Sequence, residues 1–282
     1  MTIPGVVIVG GAHGTLALAR SLGALDVPVV YLTHDSPLPR WSRFVRKTIR
    51  WAGPHDAGAA LFLNQLAETH GLKGYLLVPS GDGEVQLVSQ HRDELSALYR
   101  IILPNWAELK WLCEKPLLYQ RALELGVSIP RTYALASAAD IDALDVAFPI
   151  ILKPNMGGGD TVIARAKVVR ADDRRTLRSA FADASAEIGA SNVVVQQLIP
   201  GGGESQFSYA ALWLDGEPVA EFTARRARQY PVNFGYTSTR VEVIDNRQAV
   251  DAARKILRLA RHSGLVEVEF KFDSRDGELK LL

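Results

Sequence analysis

The stretch FPIILKPNMGGGD, residues 148 to 160, combines an apolar strand, a lysine and a run of three glycines. The apolar residues stop at Lys153, and an ammonium group at the end of a buried strand is costly unless an anion meets it. Four residues later, Gly157, Gly158 and Gly159 allow backbone N–H groups to approach a ligand closely, which suits phosphate oxygens. The stretch therefore predicts a phosphate site. The alternative is a hairpin turn beside a solvated lysine.

A second run of glycines follows a strand in VVVQQLIPGGGES, residues 193 to 205. Gln197, Leu198 and Ile199 form an extended segment whose apolar side chains and backbone polar groups can pair with the edge of an adenine ring. Glu204, seven residues beyond Gln197, is placed to accept hydrogen bonds from ribose hydroxyls. A strand and a glycine-rich hairpin without a ligand is the alternative interpretation.

The last segment, GLVEVEFKFDSRDGELKLL (residues 264 to 282), alternates apolar and charged residues with the period of a β-strand. A turn and three leucines after it predict a returning strand. Glu267, Glu269 and Asp273 are expected to share one face of the first strand.

The first 110 residues alternate strands and helices, which predicts a parallel sheet covered on both faces. Strands are expected at 5–10, 28–32, 74–79 and 100–104. The glycines after the first strand suggest a dinucleotide site, with Asp35 touching a ribose, but their spacing does not match G-x-G-x-x-G. A structural role for these glycines is favoured.

Further along the chain, Asp172 or Asp173 is expected to cap a helix that runs to about Ile188, and residues 247–262 form an amphipathic helix.

Composition excludes several classes of protein. The 282 residues are 48% hydrophobic and carry a net charge of +1, so a dedicated polyanion binder is not expected. Cys113 is the single cysteine, which rules out a disulfide framework or a cysteine-rich zinc site. P-loop, H-E-x-x-H and G-x-S-x-G motifs are absent. No apolar run has membrane-spanning length, and the start predicts a strand rather than a signal peptide, so a cytoplasmic α/β protein is expected.

In this order, the segments resemble the ATP-grasp superfamily. The resemblance covers nearly the whole chain and includes EKPLLYQRALELGVSIPRT, residues 114 to 132, beside the three stretches above. It is nearest to stand-alone carboxylate–amine ligases such as D-aspartate ligase, and extends to the large chain of carbamoyl-phosphate synthase. The fold it implies is α/β: a Rossmann-like domain over residues 1–112 and an ATP-grasp fold of two α+β subdomains, over 113–191 and 192–282.

The resemblance implies ATP and Mg²⁺ as cofactors. Two lysines hold ATP phosphates beneath a mobile glycine loop, a strand end meets adenine, and an acid binds ribose. Those nucleotide contacts are Lys115, Lys153, Gly157, Gly158, Gly159, Gln197, Leu198, Ile199 and Glu204. Glu269 is the implied first magnesium ligand, and Arg228 the implied cation at the transferring phosphoryl group.

The activity implied is an ADP-forming ligase that joins a small-molecule carboxylate to an amine, or to a thiol, through an acyl phosphate. Neither nucleic acid nor a membrane is expected as a partner, and a homodimer is left open. The family's next motif, Glu-x-Asn, is expected where the sequence stops, so the last subdomain is expected to be incomplete, with nucleotide binding retained and turnover lost. A non-catalytic nucleotide-binding protein or sensor, and an NAD-dependent enzyme, are the alternatives.

Overall fold

A computed structural model describes residues 4–157, 161–232, 234 and 237–282, and the chain divides into two compact units, up to Lys110 and from Trp111 onwards. Both units mix helices and sheets, which confirms the α/β class. Among the described residues, no helix has the length and apolar character needed to cross a membrane.

The first unit is built on a four-stranded parallel sheet. Its strands are β1 (Val6–Val9), β2 (Val29–Thr33), β3 (Val45–Arg50) and β4 (Leu76–Pro79), in the spatial order β3-β2-β1-β4. The helices of this part of the chain are α1 (His13–Gly23), α2 (Ala59–Thr69), α3 (Asp82–Gln90), α4 (Arg92–Leu95) and α5 (Trp106–Cys113), which crosses into the second unit. Strands β1 and β2 read as unbroken apolar runs because both faces of the sheet are covered.

The prediction of a strand at residues 100–104 was wrong. Only Arg100 bridges to Leu76 of β4, and the residues after it form no strand. The fourth strand of the sheet is instead β3, whose sequence VRKTIR carries three cations and lacks the apolar run of the other strands.

Side chains of the first unit fill the space beside the glycine turn after β1. Gly10 and Gly11 have φ angles of 72° and 75°, in the left-handed region that favours glycine. A Cβ on Gly10 would collide with the buried Glu84 carboxylate, and one on Gly11 with the Thr15 hydroxyl. These contacts favour the structural role expected for the two glycines.

The second unit contains two antiparallel sheets. The first has the order β5-β8-β6-β7 and consists of β5 (Thr132–Tyr133), β6 (Ile150–Pro154), β7 (Val169–Ala171) and β8 (Val193–Gln197). The second has the order β11-β10-β9-β12-β13 and consists of β9 (Gln206–Leu214), β10 (Glu217–Tyr230), β11 (Thr237–Ile244), β12 (Gly264–Asp273) and β13 (Glu278–Leu281). The helices are α6 (Lys115–Glu124), α7 (Val162–Ala166), α8 (Arg174–Ile188) and α9 (Arg247–Leu259).

Strand β8 pairs with β6, so the expected division at residue 192 does not coincide with a division between sheets. Of the two predicted caps of α8, Asp172 and Asp173, the structure uses Asp173, whose carboxylate accepts from the Thr176 N–H at 2.7 Å. The segment TVIARA after the glycine loop contributes the short helix α7, and the partner strand of β6 follows it as β7.

The terminal hairpin of β12 and β13 is confirmed, but Asp273 does not open into a cleft. Its side chain is fully buried and accepts from the Arg275 guanidinium at 2.6 and 2.8 Å and from the Lys280 ammonium at 2.8 Å. Alternation alone placed Asp273 beside Glu269, and it could not foresee that the turn and the returning strand β13 each supply a cation to this carboxylate. Asp273 therefore holds the hairpin together.

Candidate functional site

The second sheet has one face covered by α9 and a second face that carries polar groups. Tyr209 and Trp213 of β9 are fully buried with Ala253 and Leu257 of α9. Because side chains alternate along a strand, Glu269 of β12, whose Cα pairs with Ser208, points to the opposite face. Arg226, Gln206 and Glu269 meet on this second face.

Arg226 connects three strands on this face. Its guanidinium donates to Glu269 at 2.6 Å and to the Gln206 side chain at 2.8 Å. The Arg226 side chain is 11% exposed, whereas that of Glu269 is 45% exposed. A nearly buried cation therefore orients a carboxylate that remains accessible to a ligand.

Arg228, the cation expected from the sequence, is exposed and donates from Nε to the Thr239 hydroxyl at 3.3 Å. The register of β10 against β11 shifts between Arg226 and Arg228, so alternation does not carry from one to the other. Arg226 was missed because the segment ARRAR offers several arginines, and only the bulge decides which of them meets Glu269.

Lys153 of β6 is only 7% exposed, and no described residue forms a hydrogen bond or ion pair with it. Its ammonium lies 5.5 Å from the centre of the Tyr119 ring, a cation–π contact. Burial lowers the pKa of Lys153 to about 8, and the negative charge of Glu269 partly opposes that shift. A buried, nearly unpaired cation of this kind is suited to receive an anion.

Further polar atoms near Lys153 lack partners among the described residues. The Gln196 amide donates to the Thr132 hydroxyl at 2.9 Å, but its oxygen is buried without a hydrogen bond. The Tyr119 hydroxyl lies close to this amide without hydrogen-bonding geometry, and burial raises the pKa of Tyr119. The Asn155 side-chain oxygen is also buried and unpaired.

Lys115 is brought next to the same strand. It is the first residue of α6, and its ammonium donates to the Asn155 carbonyl at 3.0 Å, two residues beyond Lys153. The fold thus collects both predicted lysines at the end of β6. Gly157 is exposed, whereas Gly158 and Gly159 lie outside the described residues.

A cavity of about 650 Å³ lies at the end of β8. Its lining includes Phe148, Pro149, Leu198, Ile199, Gly201 and Lys271. Leu198 and Ile199 were expected at a ligand. Gln197 does not line the cavity, and its backbone N–H is taken by the Arg131 carbonyl at 2.8 Å.

Glu204 belongs to the glycine turn that borders this cavity. Its carboxylate accepts from the Gly202 N–H at 2.8 Å, and backbone N–H groups hold the pKa of Glu204 below its usual value. The ammonium of Lys271, a residue that the sequence did not single out, donates to the Gly201 carbonyl at 2.7 Å. Alternation places Lys271 on the face of Glu269, which was the available signal for it.

Among the described residues, no group of three or more His, Cys, Asp or Glu side chains could hold a metal ion. Glu269 stays the one carboxylate that we expect at a metal ion.

Comparison with known proteins gives one curated relative and many related structures. No family model matches the chain. It is 24% identical over 228 residues to the D-aspartate ligase of Enterococcus faecium (strain Aus0004), covering 74% of this chain and 52% of that protein. The chain thus spans about half the length of this relative.

Among solved structures, the L-amino acid ligase of Bacillus licheniformis superposes with a TM-score of 0.72 at 14% identity, over 100% of this chain and 66% of that one. The N5-carboxyaminoimidazole synthetase of Staphylococcus aureus complexed with ADP gives 0.67 at 17% identity, over 100% and 70%. The biotin carboxylase of Campylobacter jejuni gives 0.71 at 14% identity, over 99% and 64%. These likenesses extend over the whole chain and show its fold.

Proposed function

We propose that this chain, which resembles the ATP-grasp enzymes and has their fold, binds ATP in its second unit as part of an ADP-forming carboxylate–amine ligase. The relatives named above are two ligases, a synthetase and a biotin carboxylase, and the synthetase was crystallised with ADP. The proposed substrates are a small-molecule carboxylate and an amine or thiol. A homodimer and a cytoplasmic location stay predictions.

The observation that carries this proposal is Lys153, buried on β6 without a hydrogen bond or ion pair to any described residue. A solvated surface lysine would not have its pKa lowered to about 8 by burial. Phosphate oxygens would supply the missing negative charge, and Lys115 lies beside the same strand to share it. The alternative of a solvated lysine beside a hairpin turn does not fit this burial.

The base of the nucleotide is assigned to the cavity at the end of β8. Leu198 and Ile199 give it an apolar wall, and the Ile199 N–H forms no hydrogen bond with a described residue. The Leu198 N–H is occupied by the Pro149 carbonyl at 3.2 Å. We therefore assign the backbone contact to Ile199. Glu204, which lies in the glycine turn, is assigned to the ribose hydroxyls.

In the proposed reaction, the carboxylate of one substrate attacks the γ-phosphorus and forms an acyl phosphate, releasing ADP. The amine of the second substrate then attacks the acyl carbon, and inorganic phosphate leaves. Arg226, next to Glu269, is placed to stabilise negative charge on the transferring group. Arg228 keeps that role as the alternative assignment, although its guanidinium contacts Thr239.

Glu269 fits a magnesium site only together with phosphate oxygens, because Mg²⁺ is usually held by one or two carboxylates plus phosphates. A bound Mg²⁺ would shield the charge of the β- and γ-phosphates. Arg226 holds the Glu269 carboxylate in place.

The proposed domains remain a front domain over 1–112 and subdomains over 113–191 and 192–282.

A thermal-shift titration with ATP, ADP and NAD, each with and without Mg²⁺, tests nucleotide binding. Saturation at a hundred times the dissociation constant adds about 2.7 kcal/mol, a rise of about 5 °C or more in the melting midpoint. We expect this rise with ADP for the wild type and for Lys47→Met, an exposed lysine of β3, and its loss in Lys153→Met.

A rise with NAD alone would favour a dinucleotide site in the first unit and overturn the proposal. An equal rise with ADP in wild type and Lys153→Met would remove the phosphate assignment. Release of ADP on addition of carboxylate and amine substrates separates a ligase from a protein that only binds the nucleotide.

A further inference from the structure

Lys271 joins the second sheet to the glycine turn that carries Glu204. Its ammonium donates to the Gly201 carbonyl at 2.7 Å, and its side chain lines the cavity at the end of β8. Gly201 has a φ of 89°, and a Cβ there would collide with the Ser205 hydroxyl. The turn therefore has a tight conformation that depends on glycine, and Lys271 anchors it to β12.

The same ammonium acts on Glu204 electrostatically. Burial lowers the pKa of Lys271, and the charge of Glu204 opposes that shift, so the two groups lie within electrostatic reach of each other. The Glu204 carboxylate also folds back onto the Gly202 N–H at 2.8 Å, one residue after the carbonyl that Lys271 holds. The Gly202 N–H thus holds the carboxylate directly, and Lys271 ties the same turn to the sheet through the Gly201 carbonyl.

We propose that Lys271 is a positioning residue that sets the selectivity of the site for ribose hydroxyl groups, by holding the Gly201–Glu204 turn against the sheet. This inference rests on the proposed nucleotide site. An exposed acid on a turn is mobile unless it is anchored, and a hydroxyl contact contributes to selectivity only when its acceptor is fixed before the ligand binds. Lys271 supplies that anchor from the rigid strand β12.

The test compares the affinities for ATP and for 2′,3′-dideoxy-ATP, measured by calorimetry without acceptor substrates. Loss of hydrogen bonds to a charged acceptor corresponds to a factor of about 10 or more, which we expect for the wild type. In Lys271→Met, which keeps the aliphatic stem, we expect the ratio to fall to about 3 or less. Lys271→Arg retains the cation and is expected to recover most of the selectivity.

Glu204→Gln provides a second variant, since this exposed residue leaves the core untouched. It is expected to lower the selectivity, and adding Lys271→Met to it should change the ratio little, because both act through one contact. Lys47→Met is the control and should leave the ratio unchanged.

An unchanged ratio in Lys271→Met, with both nucleotides weakened equally, would overturn the inference and leave the proposed function standing. A wild type that binds the two nucleotides equally would overturn it as well. Absence of binding to either nucleotide would instead remove the proposed function, and this inference with it.

Discussion

Arg226 reaches across β9 to place its guanidinium 2.6 Å from the Glu269 carboxylate. The two residues belong to β10 and β12, which are not neighbours in the sheet, and Gln206 on β9 accepts from the same guanidinium. Arg226 is nearly buried, whereas about half of the Glu269 side chain is exposed to solvent. The ion pair therefore orients the Glu269 carboxylate and leaves it accessible. This arrangement suits a carboxylate that meets a second cation from outside.

Glu269→Gln should abolish the effect of Mg²⁺ on nucleotide binding. We expect Mg²⁺ to strengthen ADP binding to the wild type about 10-fold or more, and to have almost no effect on the variant, because the carboxylate assigned to the metal is lost. Because the nearly buried Arg226 keeps the Gln206 side chain as an acceptor, loss of its pair with the half-exposed Glu269 should cost about 1 to 3 kcal/mol in stability. Calorimetry with and without MgCl₂ measures the first effect, and thermal unfolding the second.

Glu267→Gln is the matched control, since Glu267 is exposed on the same face of β12, two residues away. It should keep the full Mg²⁺ effect. If both variants lose the effect of Mg²⁺ on ADP binding equally, the general negative charge of this face, rather than the Glu269 carboxylate, binds the metal.

The sequence predicted most strands of the second unit because their signals are local. Apolar runs marked β6 and β8, alternation marked β12, and a 3.6-residue period marked α9. Lys153 was singled out because one lysine stands at the end of an apolar run, and the structure buries it there, while its assignment to phosphate stays a prediction. The direction of a side chain at a bulge depends on how two strands pair, which the sequence of one strand does not show. The contact between Arg226 and Glu269 was therefore not predicted.

Side-chain contacts within the terminal hairpin also escaped prediction. The burial of Asp273 depends on Arg275 and Lys280, and alternation along β12 does not report which side chains fold over its end. In the first unit, β3 is an edge strand of the sheet formed by the described residues, and the three cations of its sequence are typical of such an edge. The strand signal at 100–104 was stronger, but that segment only bridges to β4.

Nucleotide affinity should fall as the pH rises through about 8, the value to which burial lowers the pKa of Lys153. The charged ammonium is the form that binds phosphate, so each pH unit above this value should weaken ADP binding by up to about tenfold. Titrations between about pH 7.5 and 9.5 measure the effect above the ionisation of the phosphates. An ADP affinity of the wild type that stays constant between these pH values would contradict it.

Lys153→Met should stabilise the free protein at neutral pH. Because the folded-state pKa is below the unfolded value, the unfolded chain binds more protons between about pH 8 and 10.5, and wild-type stability rises with pH across that window. Below it, the charged lysine costs about 3 kcal/mol, so the variant should melt about 5 °C or more above the wild type at pH 7. The difference in melting midpoint between the variant and the wild type should be smaller at pH 9.5. An equal gap at both pH values would indicate a packing effect.

Asp273→Asn should destabilise the second unit by about 3 kcal/mol, because it leaves the Lys280 ammonium nearly buried without its main anionic partner. The melting midpoint should fall by about 6 °C or more. Asp276→Asn is the control: Asp276 also contacts Lys280 at 2.5 Å but is half exposed, so its loss should cost less than about 1 kcal/mol.

The same carboxylate predicts how the hairpin responds to acid. The Arg275 guanidinium, together with Lys280, holds the pKa of Asp273 far below its usual value. A depressed pKa contributes stability above the unfolded-state value of about 3.9 and loses it as the pH falls below that value. The difference in melting midpoint between wild type and Asp273→Asn should therefore be constant from about pH 7 to 5 and shrink towards pH 3. A difference that stays constant down to pH 3 would mean that Asp273 acts through packing and hydrogen-bond geometry rather than through its charge.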